Sequence, residues 1–165
     1  MVTLKGKGFI LRPFKISDAL SLQENINDSS VYRYTLRIPY PYSIDDAKKF
    51  ISSKSKNELS FAIVSENKII GGIGFDSMEK HKANIGYWLA KKYRNYGIMT
   101  LAIKLLSNYG LKELNLKRIQ AIVFVKNKAS ERVLQKCGFK KEGLVRNWAL
   151  KNGKLKNAHM YSLIP

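Results

Sequence analysis

Apolar and polar positions alternate with two different periods along the chain, and these periods predict a mixture of strands and helices. The opening stretch TLKGKGFILRPF has a two-residue period and ends at Pro13, which is typical of an edge strand. Asp18, or alternatively Ser17, is suited to cap a first helix over ALSLQENIND. Two prolines make the next stretch, VYRYTLRIPYPY, a loop or a short broken helix. Ser43 then caps a second helix, SIDDAKKFISSK, whose first turn is acidic.

The rest of the chain continues the mixture, with turn residues at the expected boundaries. In order, the predicted elements are two strands in LSFAIVSENKIIGGIGF, a strand in HKANIGYWLA, a long helix in GIMTLAIKLLSNYGLKEL, a strand in LKRIQAIVFV, a helix in NKASERVLQKCGF and two strands in LVRNWALKNGKLKNAHMYSLI. Gly138 indicates a helix C-terminus, and Asn152 with Gly153 indicates a hairpin turn. The order β-α-α-β-β-β-α-β-α-β-β, without linker or repeat, predicts one α/β domain over residues 1–165 with a mixed sheet.

The composition fits a globular protein, and its charge favours anionic partners. Hydrophobic residues make up 45% and aromatic residues 11% of the 165 residues. Thirty lysines and arginines against twelve aspartates and glutamates give a net charge of +18, which favours nucleic acid, the ribosome or a polyanionic cofactor. Solubility or a lysine-rich proteome explains the charge equally well. The sequence contains no zinc-ligand spacing and no RNA-binding signature.

The sequence gives no sign of export or of membrane insertion. No apolar run approaches the ~18 residues that a membrane span needs, so no membrane contact is expected. The N-terminal MVTLKGKGFILRPF alternates rather than forming a signal sequence, which predicts a cytoplasmic protein. The single cysteine, Cys137, excludes an internal disulfide framework, and without a histidine nearby in the sequence it is interpreted as a packed thiol.

The stretch KKYRNYG, directly ahead of the long helix, is the strongest chemical signal. Gly97 permits a positive φ, and the helix that follows has no acidic residue in its first turn. Free N–H groups at such a helix start, with Lys91, Lys92 and Arg94 nearby, suit a phosphate or a pyrophosphate. Thr100 adds a hydroxyl in the first turn. The alternative is an ordinary turn glycine ahead of an ordinary helix.

A second strand–helix unit, FVKNKASERVLQKCGF, repeats this geometry about 30 residues further on. Its Asn127, at the end of the strand, is placed to hydrogen-bond an extended ligand that carries amides. A pyrophosphate on one helix start and an amide-rich arm between two strands together describe coenzyme A.

These segments resemble the GNAT N-acetyltransferase superfamily, and within it the ribosomal-protein-alanine branch, which acetylates ribosomal-protein N-termini and some polyamines and antibiotics. The resemblance covers nearly the whole chain and is carried by FILRPFKISDAL, YRYTLRIPYPYSIDDAKKFI, NIGYWLAKKYRNYGIMTLAIKLL and NKASERVLQKCGFKKEGLVR. It implies a single GNAT-type domain in which a mixed, mostly antiparallel twisted sheet is flanked by helices. It also implies acetyl-CoA (coenzyme A) as the cofactor and transfer of the acetyl group to a primary amine by direct attack.

The resemblance further implies which residues hold the cofactor. The family pattern Q/R-x-x-G-x-G/A places the pyrophosphate on the backbone of residues 94–100, where Met99 replaces the usual small residue. The strand around Trp88 would bond the pantetheine arm through its backbone, and Asn127 would do so through its side chain. The cofactor-binding residues implied in this way are Trp88, Leu89, Arg94, Asn95, Tyr96, Gly97, Met99, Thr100, Asn127 and Ser130.

Acetyl transfer needs an oxyanion donor, an acid for the leaving thiolate and a path for the amine proton. A backbone amide near Trp88 and Leu89 is the expected oxyanion donor. Many family members use a tyrosine as the acid where this chain has Leu134, so the resemblance implies Ser130 as the catalytic acid, with Tyr161 in reserve. The alternative for Ser130 is an ordinary polar residue in the first turn of a helix.

The candidates for a base lie on the hairpin that leads into the cofactor strand. Family members often carry a glutamate directly ahead of the IGYWL pattern, where this chain has Asn84. Asp76 and Glu79 are the nearest carboxylates and would act through water; otherwise each is a solvated turn residue. His81 lies amid lysines and is interpreted as an exposed turn residue. An amine that arrives partly deprotonated would need no base.

Tyrosines dominate the segment that the resemblance places on the acceptor side. Tyr32, Tyr34, Tyr40 and Tyr42 are expected either to bind a peptide or a drug ring, or to pack the core. A net charge of +18 would repel a polycation, whereas the α-amine of a protein N-terminus titrates near neutrality. The leading hypothesis is therefore acetylation of a protein N-terminus, as on a ribosomal protein.

Two alternatives are left open by the sequence. The first is a small-molecule amine acetyltransferase that acts on antibiotics or polyamines. The second is a binding domain for acyl-CoA or nucleic acid without chemistry, which the missing tyrosine and the substituted glutamate keep open. Proximity to the ribosome or to RNA is a hypothesis from the charge, and the chain is expected to be a monomer or a homodimer.

Overall fold

A computed structural model describes residues 2–54 and 59–165. Within these residues the strands are Leu4–Gly6 (β1), Phe9–Pro13 (β2), Ser60–Ser65 (β3), Lys68–Met78 (β4), Lys82–Leu89 (β5), Arg118–Phe124 (β6), Lys140–Lys151 (β7) and Lys154–Leu163 (β8). The α-helices are Ala19–Ile26 (α1), Ser29–Tyr34 (α2), Ile44–Lys54 (α3), Ile98–Lys112 (α4) and Lys128–Lys136 (α5). Short 3-10 turns cover Ile16–Asp18 and Lys91–Tyr93.

The described strands form one sheet in the order β1-β2-β3-β4-β5-β6-β8-β7. Among these neighbours all pairs are antiparallel except β5 and β6, which run parallel because helix α4 carries the chain back between them. The predicted fold class, one α/β domain with a mixed and mostly antiparallel sheet flanked by helices, is confirmed.

The parallel pair opens into a cleft. Backbone pairing between the two strands runs only from Lys82 to Asn84 on β5, although β5 continues to Leu89 and β6 continues to Phe124. On its other side β5 stays paired with β4 up to Leu89. The C-terminal halves of β5 and β6 therefore diverge, and they leave a V-shaped opening in the middle of the sheet.

The sheet is covered by helices on both faces. One core cluster includes Ile103 of α4 and Leu134 of α5, and a second includes Leu22 of α1 and Ile51 of α3. Successive residues of β3 belong to different clusters, since side chains alternate across a strand. The central strands are consequently apolar on both faces. Packing on both sides holds β4 and β5 in place beside the cleft.

Turn and cap residues confirm several predicted boundaries. At the start of α5 the Asn127 Oδ1 accepts a hydrogen bond from the Ser130 N–H at 3.2 Å. Gly138, with a φ of 88°, follows the end of this helix. Asn152 and Gly153, with φ values of 51° and 68°, form the turn between β7 and β8.

Two details near the N-terminus differ from the prediction. The opening strand is a β1–β2 hairpin that turns at Gly8, whose φ is 79°. Asp18 does not cap α1: its carboxylate pairs with two nitrogens of Arg12, each at 2.8 Å, and accepts from the Lys15 N–H at 2.7 Å. Asp18 is buried, and a buried charge is unfavourable unless it is paired. Its carboxylate therefore binds the Arg12 guanidinium and not the free N–H groups of α1. The tyrosine-rich segment is helical up to Tyr34, in keeping with a short helix.

Cys137 is the packed thiol that the sequence predicts. Only 9% of the residue is exposed, and burial raises the pKa of its thiol to about 11. A thiol of this kind is a poor nucleophile near neutral pH. Across residues 2–54 and 59–165, no helix combines the length and the hydropathy that a membrane crossing requires.

Candidate active site

Helix α4 begins with an uncapped first turn at the edge of the cleft. Its N-cap residue, Gly97, has a φ of 76° and a ψ of 0°, and Asn95 has a φ of 69°. No side chain of the described residues caps this helix, and its first turn carries no carboxylate. The N–H groups of Ile98, Met99 and Thr100 therefore have no partner within the helix. A concave set of donors of this kind fits a phosphate group.

The side chain of Met99 stays out of this anion site. It is 7% exposed and packs in the core cluster that contains α4 and α5. The larger residue at this position therefore leaves the backbone amide free for a ligand. Thr100 and the exposed Asn95 line the cleft, whereas Tyr96 is 77% exposed and is not on the cleft lining.

Arg94 fastens the loop ahead of α4 to its neighbours. Its Nε donates to the carbonyl of Leu89 at 3.0 Å, and its Nη1 donates to the Ser30 Oγ of α2 at 2.9 Å. The guanidinium thus holds the anion site in place against β5 and α2. Further positive charge on the cleft lining comes from Arg132 and Lys136 of α5, while Lys91 and Lys92 are exposed on the preceding turn.

The cleft has a volume of about 1210 Å³ and is walled by β5 and β6. The Ala90 N–H, just after β5, donates to the Ile70 carbonyl of β4 at 2.9 Å. Because backbone amides alternate along a strand, those of Leu89 and Tyr87 point away from β4, toward the diverged strand β6. They are available to an extended ligand that carries amides. The side chain of Trp88 packs in the core cluster of α1 and α3 instead.

Two hydroxyl groups meet inside the cleft. The Tyr87 hydroxyl lies 2.6 Å from the Ser130 Oγ, and both residues line the cleft wall. The cap formed by Asn127 fixes the first turn of α5 and thereby holds Ser130 in place. Burial raises the pKa of the Tyr87 hydroxyl well above its ordinary value, although the hydrogen bond with Ser130 acts in the opposite direction. Tyr87 therefore stays protonated and is able to donate.

The sequence reasoning missed Tyr87. The alternation along β5 could have placed its side chain on the same face as Leu89, but it does not show that α5 packs there. Asn127, which was expected to meet the ligand, uses its Oδ1 for the helix cap. Its Nδ2 forms no hydrogen bond within the described part of the chain, and the residue lines the cleft.

The two predicted carboxylates lie in different surroundings. Asp76 is the extra residue of a bulge in β4 and lines the cleft. A Cβ on Gly86 would lie 2.5 Å from its Oδ2, so the carboxylate rests directly against β5. Glu79 is in the turn between β4 and β5, away from the cleft lining, and pairs with Lys82 at 3.2 Å.

Tyr161 lies apart from the cleft. It is 1% exposed, on β8 beside β6, and burial together with the charge of Glu131 raises the pKa of its hydroxyl. The cleft lining does not include it. Of the predicted catalytic residues, the fold brings Ser130 and Asp76 to the cleft and leaves Tyr161 and Glu79 outside it.

The four candidate acceptor tyrosines also divide. Tyr34 and Tyr42 line the cleft, but Tyr42 is 4% exposed, and burial raises the pKa of its hydroxyl to about 12. The Tyr32 hydroxyl donates to the Asn152 Oδ1 at 2.7 Å, and its ring lies 6.1 Å from that of Tyr40. Tyr32 therefore contacts the β7–β8 hairpin, and neither Tyr32 nor Tyr40 is on the cleft lining.

The sequence also did not single out an aromatic pair inside the cleft. Trp148 lies in a wide bulge of β7, and its ring meets that of Phe124 edge-on at 5.5 Å. Both residues line the cleft. The bulge rather than the alternation of β7 directs Trp148 inward, which is why the strand pattern gave no indication of it.

The cleft combines three features: a helix start rich in N–H donors, a strand edge with free amides, and a pair of hydroxyl groups. Together they are the features of an acyl-CoA-dependent transferase. The protein-family model of the acetyltransferase (GNAT) domain matches residues 9–140, and the chain belongs to this family.

Curated relatives agree with this assignment. The uncharacterized N-acetyltransferase YoaA of Bacillus subtilis (strain 168) is 32% identical over 170 residues, which cover 98% of this chain and 96% of that protein. The spermidine N(1)-acetyltransferase of Escherichia coli (strain K12) is 28% identical and covers 90% of this chain and 81% of that protein.

Solved structures show the same fold over nearly the whole chain. A GNAT-family acetyltransferase from Bacillus anthracis has a TM-score of 0.88 at 26% identity, over 99% of this chain and 98% of that chain. The ribosomal-protein-S5-alanine acetyltransferase from Vibrio fischeri has a TM-score of 0.86 at 25% identity, over 99% and 97%. The microcin C7 self immunity acetyltransferase MccE, solved with acetyl-CoA and AMP, has a TM-score of 0.86 at 27% identity, over 97% and 94%.

The protein is thus an acetyl-CoA-dependent N-acetyltransferase, as its sequence predicts. Its own residues fit the cosubstrate. The unbonded amides at the start of α4 suit a pyrophosphate, and a side chain added at Gly97 would meet no atom within 4 Å, so the site is open. The diverging strands leave an edge of β5 free for an amide-bearing arm.

Proposed function

We propose that this enzyme acetylates the N-terminal α-amine of a protein. The observation that carries the proposal is the scarcity of free carboxylates in the cleft. Among the described lining residues the carboxylates are Asp46 and Asp76, and Asp46 accepts two hydrogen bonds from Ser43, at 2.9 and 2.6 Å. Asp76 is then the carboxylate left to attract an amine. One carboxylate suits a single amine, whereas a polyamine carries several charges that need partners.

The cationic groups around the cleft support the same choice. Arg37, Lys49, Arg132 and Lys136 line it, and the whole chain carries a net charge of +18. A polycation is repelled by such surroundings. An α-amine, with an ordinary pKa of ~7.7–8.0, is partly neutral at physiological pH, whereas a lysine side chain, near ~10.4, is almost fully charged.

The aromatic side chains of the cleft suit the first residues of a peptide. Trp148 and Phe124 form one wall, and Tyr34 lines the cleft from α2. Phe14 and Phe50, whose rings meet edge-on at 5.2 Å, also line it. Aromatic side chains offer large, rigid contact area with little loss of conformational entropy, as short peptide segments require.

The proposal assigns the sequence-predicted binding residues as follows. The amides from Gly97 to Thr100 hold the pyrophosphate, while Arg94, Asn95 and Tyr96 shape the loop before them. The free edge of β5 at Tyr87 and Leu89, with Trp88 anchoring the strand, binds the pantetheine arm, and the Nδ2 of Asn127 donates to it. The thioester of the cosubstrate supplies the activated acetyl group.

Three residues carry out the proton transfers of the proposed reaction. Ser130 holds a proton at its Oγ for the leaving sulfur, and the Tyr87 hydroxyl, 2.6 Å away, supplies that oxygen with a replacement. Asp76 takes the proton of the attacking amine, directly or through water, from its place against Gly86. A positioned acid or base of this kind contributes ~10²–10⁴-fold to a rate.

A ribosomal protein is the acceptor that we favour. The Vibrio fischeri structure, 25% identical to this chain, is of an enzyme named for the alanine of ribosomal protein S5. A net charge of +18 also favours approach to an RNA-rich particle. Such an acceptor would place the enzyme in the cytoplasm.

Acetyl transfer to matched peptides, followed by mass spectrometry, tests the proposal. One peptide has a free α-amine and no lysine, and the other has a blocked N-terminus and an internal lysine. Each is tried with several first residues, and spermidine serves as the small-molecule acceptor. Acetylation of the α-amine alone is expected. Acetylation of lysine or spermidine alone would overturn the choice of acceptor while leaving the family assignment intact.

A further inference from the structure

A buried polar cluster lies outside the cleft, between α5, β7 and β8. The His159 Nδ1 lies 2.5 Å from the Glu131 Oε1, and both residues are 8% exposed. The Lys141 Nζ lies 3.0 Å from the His159 Nε2, and the Lys128 Nζ lies 3.0 Å from the other Glu131 oxygen. Neither Glu131, His159 nor Lys141 lines the cleft, and the acetyl transfer described above does not use them.

The contacts define the protonation of this cluster. A lysine ammonium has only donors, so the His159 Nε2 that faces Lys141 must accept. The proton of a neutral imidazole is then on Nδ1, which donates to Glu131. Burial acts to raise the pKa of the Glu131 carboxyl, but the hydrogen bonds from His159 and Lys128 outweigh it and hold that pKa below its usual range. Glu131 is therefore a carboxylate.

The arrangement is that of an amine, a base and an orienting carboxylate. In enzymes with a covalent intermediate, a nucleophile is activated by a base within hydrogen-bond reach, and a third group orients the base. Here Lys141 stands in the place of the nucleophile, His159 in that of the base and Glu131 in that of the orienting group. Lys141 is exposed on β7, so its amine is open to reagents from solution.

We propose that Lys141 is an acylation site, which takes an acetyl group from an acetyl thioester more readily than the other lysines of the surface. The ammonium passes a proton to the His159 Nε2 and becomes a neutral amine, and the imidazolium formed is paired with Glu131. The amine attacks the thioester carbonyl, the C–N bond forms and the C–S bond breaks. The thiolate leaves and takes up the proton from His159, and the second amine proton is lost to water.

The charges around this proton transfer reduce its cost. It moves one positive charge by about the 3.0 Å of the hydrogen bond and leaves the net charge of the cluster unchanged. The charge arrives next to the buried carboxylate, which stabilises it more strongly than water-exposed groups would. Lys128, on the other side of Glu131, opposes the transfer in part, and Tyr161 nearby stays neutral because burial raises its pKa. Lys140, the neighbour in sequence, is an exposed lysine for which the described residues provide no such base.

Competition between lysines of one chain tests this site. The intact enzyme is treated with a limiting amount of acetyl-CoA and, separately, of the neutral reagent N-hydroxysuccinimidyl acetate. Peptide mapping then gives the initial acetylation rate of each lysine. Lys141 should react at least ~10-fold faster than Lys140 with both reagents, which is below the contribution of a base in an enzyme active site.

The variant His159→Gln separates base catalysis from simple exposure. Glutamine can still accept from Lys141 and donate to Glu131, but it cannot take a proton, so the lead of Lys141 over Lys140 should disappear. Glu131→Gln should reduce the lead as well and serves if the first variant does not fold. Equal rates for the two lysines in the unmodified enzyme, or a lead that survives His159→Gln, would overturn the proposal.

Discussion

The hydroxyl groups of Tyr87 and Ser130, 2.6 Å apart, are the polar contact that joins β5 to α5 inside the cleft. Ser130 is held by the cap of its own helix, and Tyr87 is held by a strand that pairs with β4 from Ala83 to Leu89. Two protonated hydroxyls in contact form a relay that can give up one proton and recover another. Their fixed positions mean that little reorganisation is needed when the proton moves.

Replacing Tyr87 with phenylalanine should lower kcat by ~10- to 100-fold and leave the affinity for acetyl-CoA unchanged, since only the relay proton is removed. Ser130→Ala should lower kcat by at least as much, and the double variant should be no slower than Ser130→Ala, because the two groups act as one unit. Steady-state kinetics and calorimetry give the two quantities.

Tyr109→Phe is the matched control for this prediction. Tyr109 is a partly buried tyrosine packed against the same core cluster, on α4, but away from the cleft lining. Its loss should leave kcat as it is. A Tyr87→Phe enzyme with full kcat would contradict the proposed relay.

The sequence predicted some residues of the site better than others, for physical reasons. Asn127 and Gly97 act through local backbone geometry, which short-range patterns encode. Asp76 and Glu79 are three positions apart in one hairpin, and only the bulge at Asp76 decides which of them faces the cleft. Tyr87 depends on a contact with a residue 43 positions away, which no local pattern contains.

At the scale of the elements, a polar clamp joins strands β6, β7 and β8. Arg118 of β6 donates to both oxygens of Glu142 on β7, at 2.7 and 2.5 Å, and the Ser162 hydroxyl of β8 donates at 2.6 Å. The hydrogen bonds from Arg118 and Ser162 lower the pKa of Glu142 from its ordinary 4.5 to about 2. The clamp therefore ties three strands together for as long as Glu142 is ionised.

Stability should fall in acid partly through this clamp. Below the ordinary pKa of 4.5 the unfolded chain takes up a proton at Glu142 that the folded chain does not, down to about pH 2. The contribution of the clamp is thus complete above that range and is lost as the pH falls through it. Glu142→Gln should lower the urea midpoint at about pH 6 and have a much smaller effect at about pH 2.5.

Glu113→Gln is the control, because Glu113 is exposed and forms no ion pair within the described residues. Its urea midpoint should follow that of the unmodified protein at both pH values. A Glu142→Gln variant with an equal loss of stability at both would show that the clamp acts by packing rather than by charge.

Periodicity predicted the long elements because burial on one or both faces dictates their patterns. Helix α4 and strand β5 were recognised in this way. The divergence of β5 from β6 was not, because register is set between strands and leaves no mark within either one. The alternation likewise does not distinguish one opening strand from the short hairpin β1–β2, since both halves have the same period.

At the scale of the whole molecule, the dominant property is a net charge of +18 around the cleft in which we place an anionic cosubstrate. The charge attracts anions over long distances, whereas the start of α4 and the edge of β5 would contact the ligand directly. Composition could predict the sign of the partner's charge, but it could not distinguish a nucleotide cosubstrate from RNA. The cleft geometry made that distinction for the cosubstrate.

The same charge predicts a salt effect that depends on the acceptor. With intact ribosomes as the acceptor, kcat/KM should fall steeply as salt is raised from about 50 to 300 mM, because ions screen attraction to the RNA surface. With a free peptide of the same N-terminal sequence, at saturating acetyl-CoA, the fall should be much smaller. Equal salt dependence for the two acceptors would rule out a role of the charge in reaching the ribosome.

Calorimetry of acetyl-CoA binding to the variants Gly97→Ala and Gly153→Ala is the most direct single measurement. Both glycines have positive φ, 76° and 68°, and neither added Cβ would meet an atom within 4 Å, so each variant carries a similar backbone strain of ~1–2 kcal/mol. In the Gly97→Ala variant this strain would relax the loop at the start of α4, and binding would have to restore it. Affinity should therefore fall ~5- to 30-fold for Gly97→Ala and stay unchanged for Gly153→Ala. Unchanged affinity in both variants would contradict the placement of the pyrophosphate on α4.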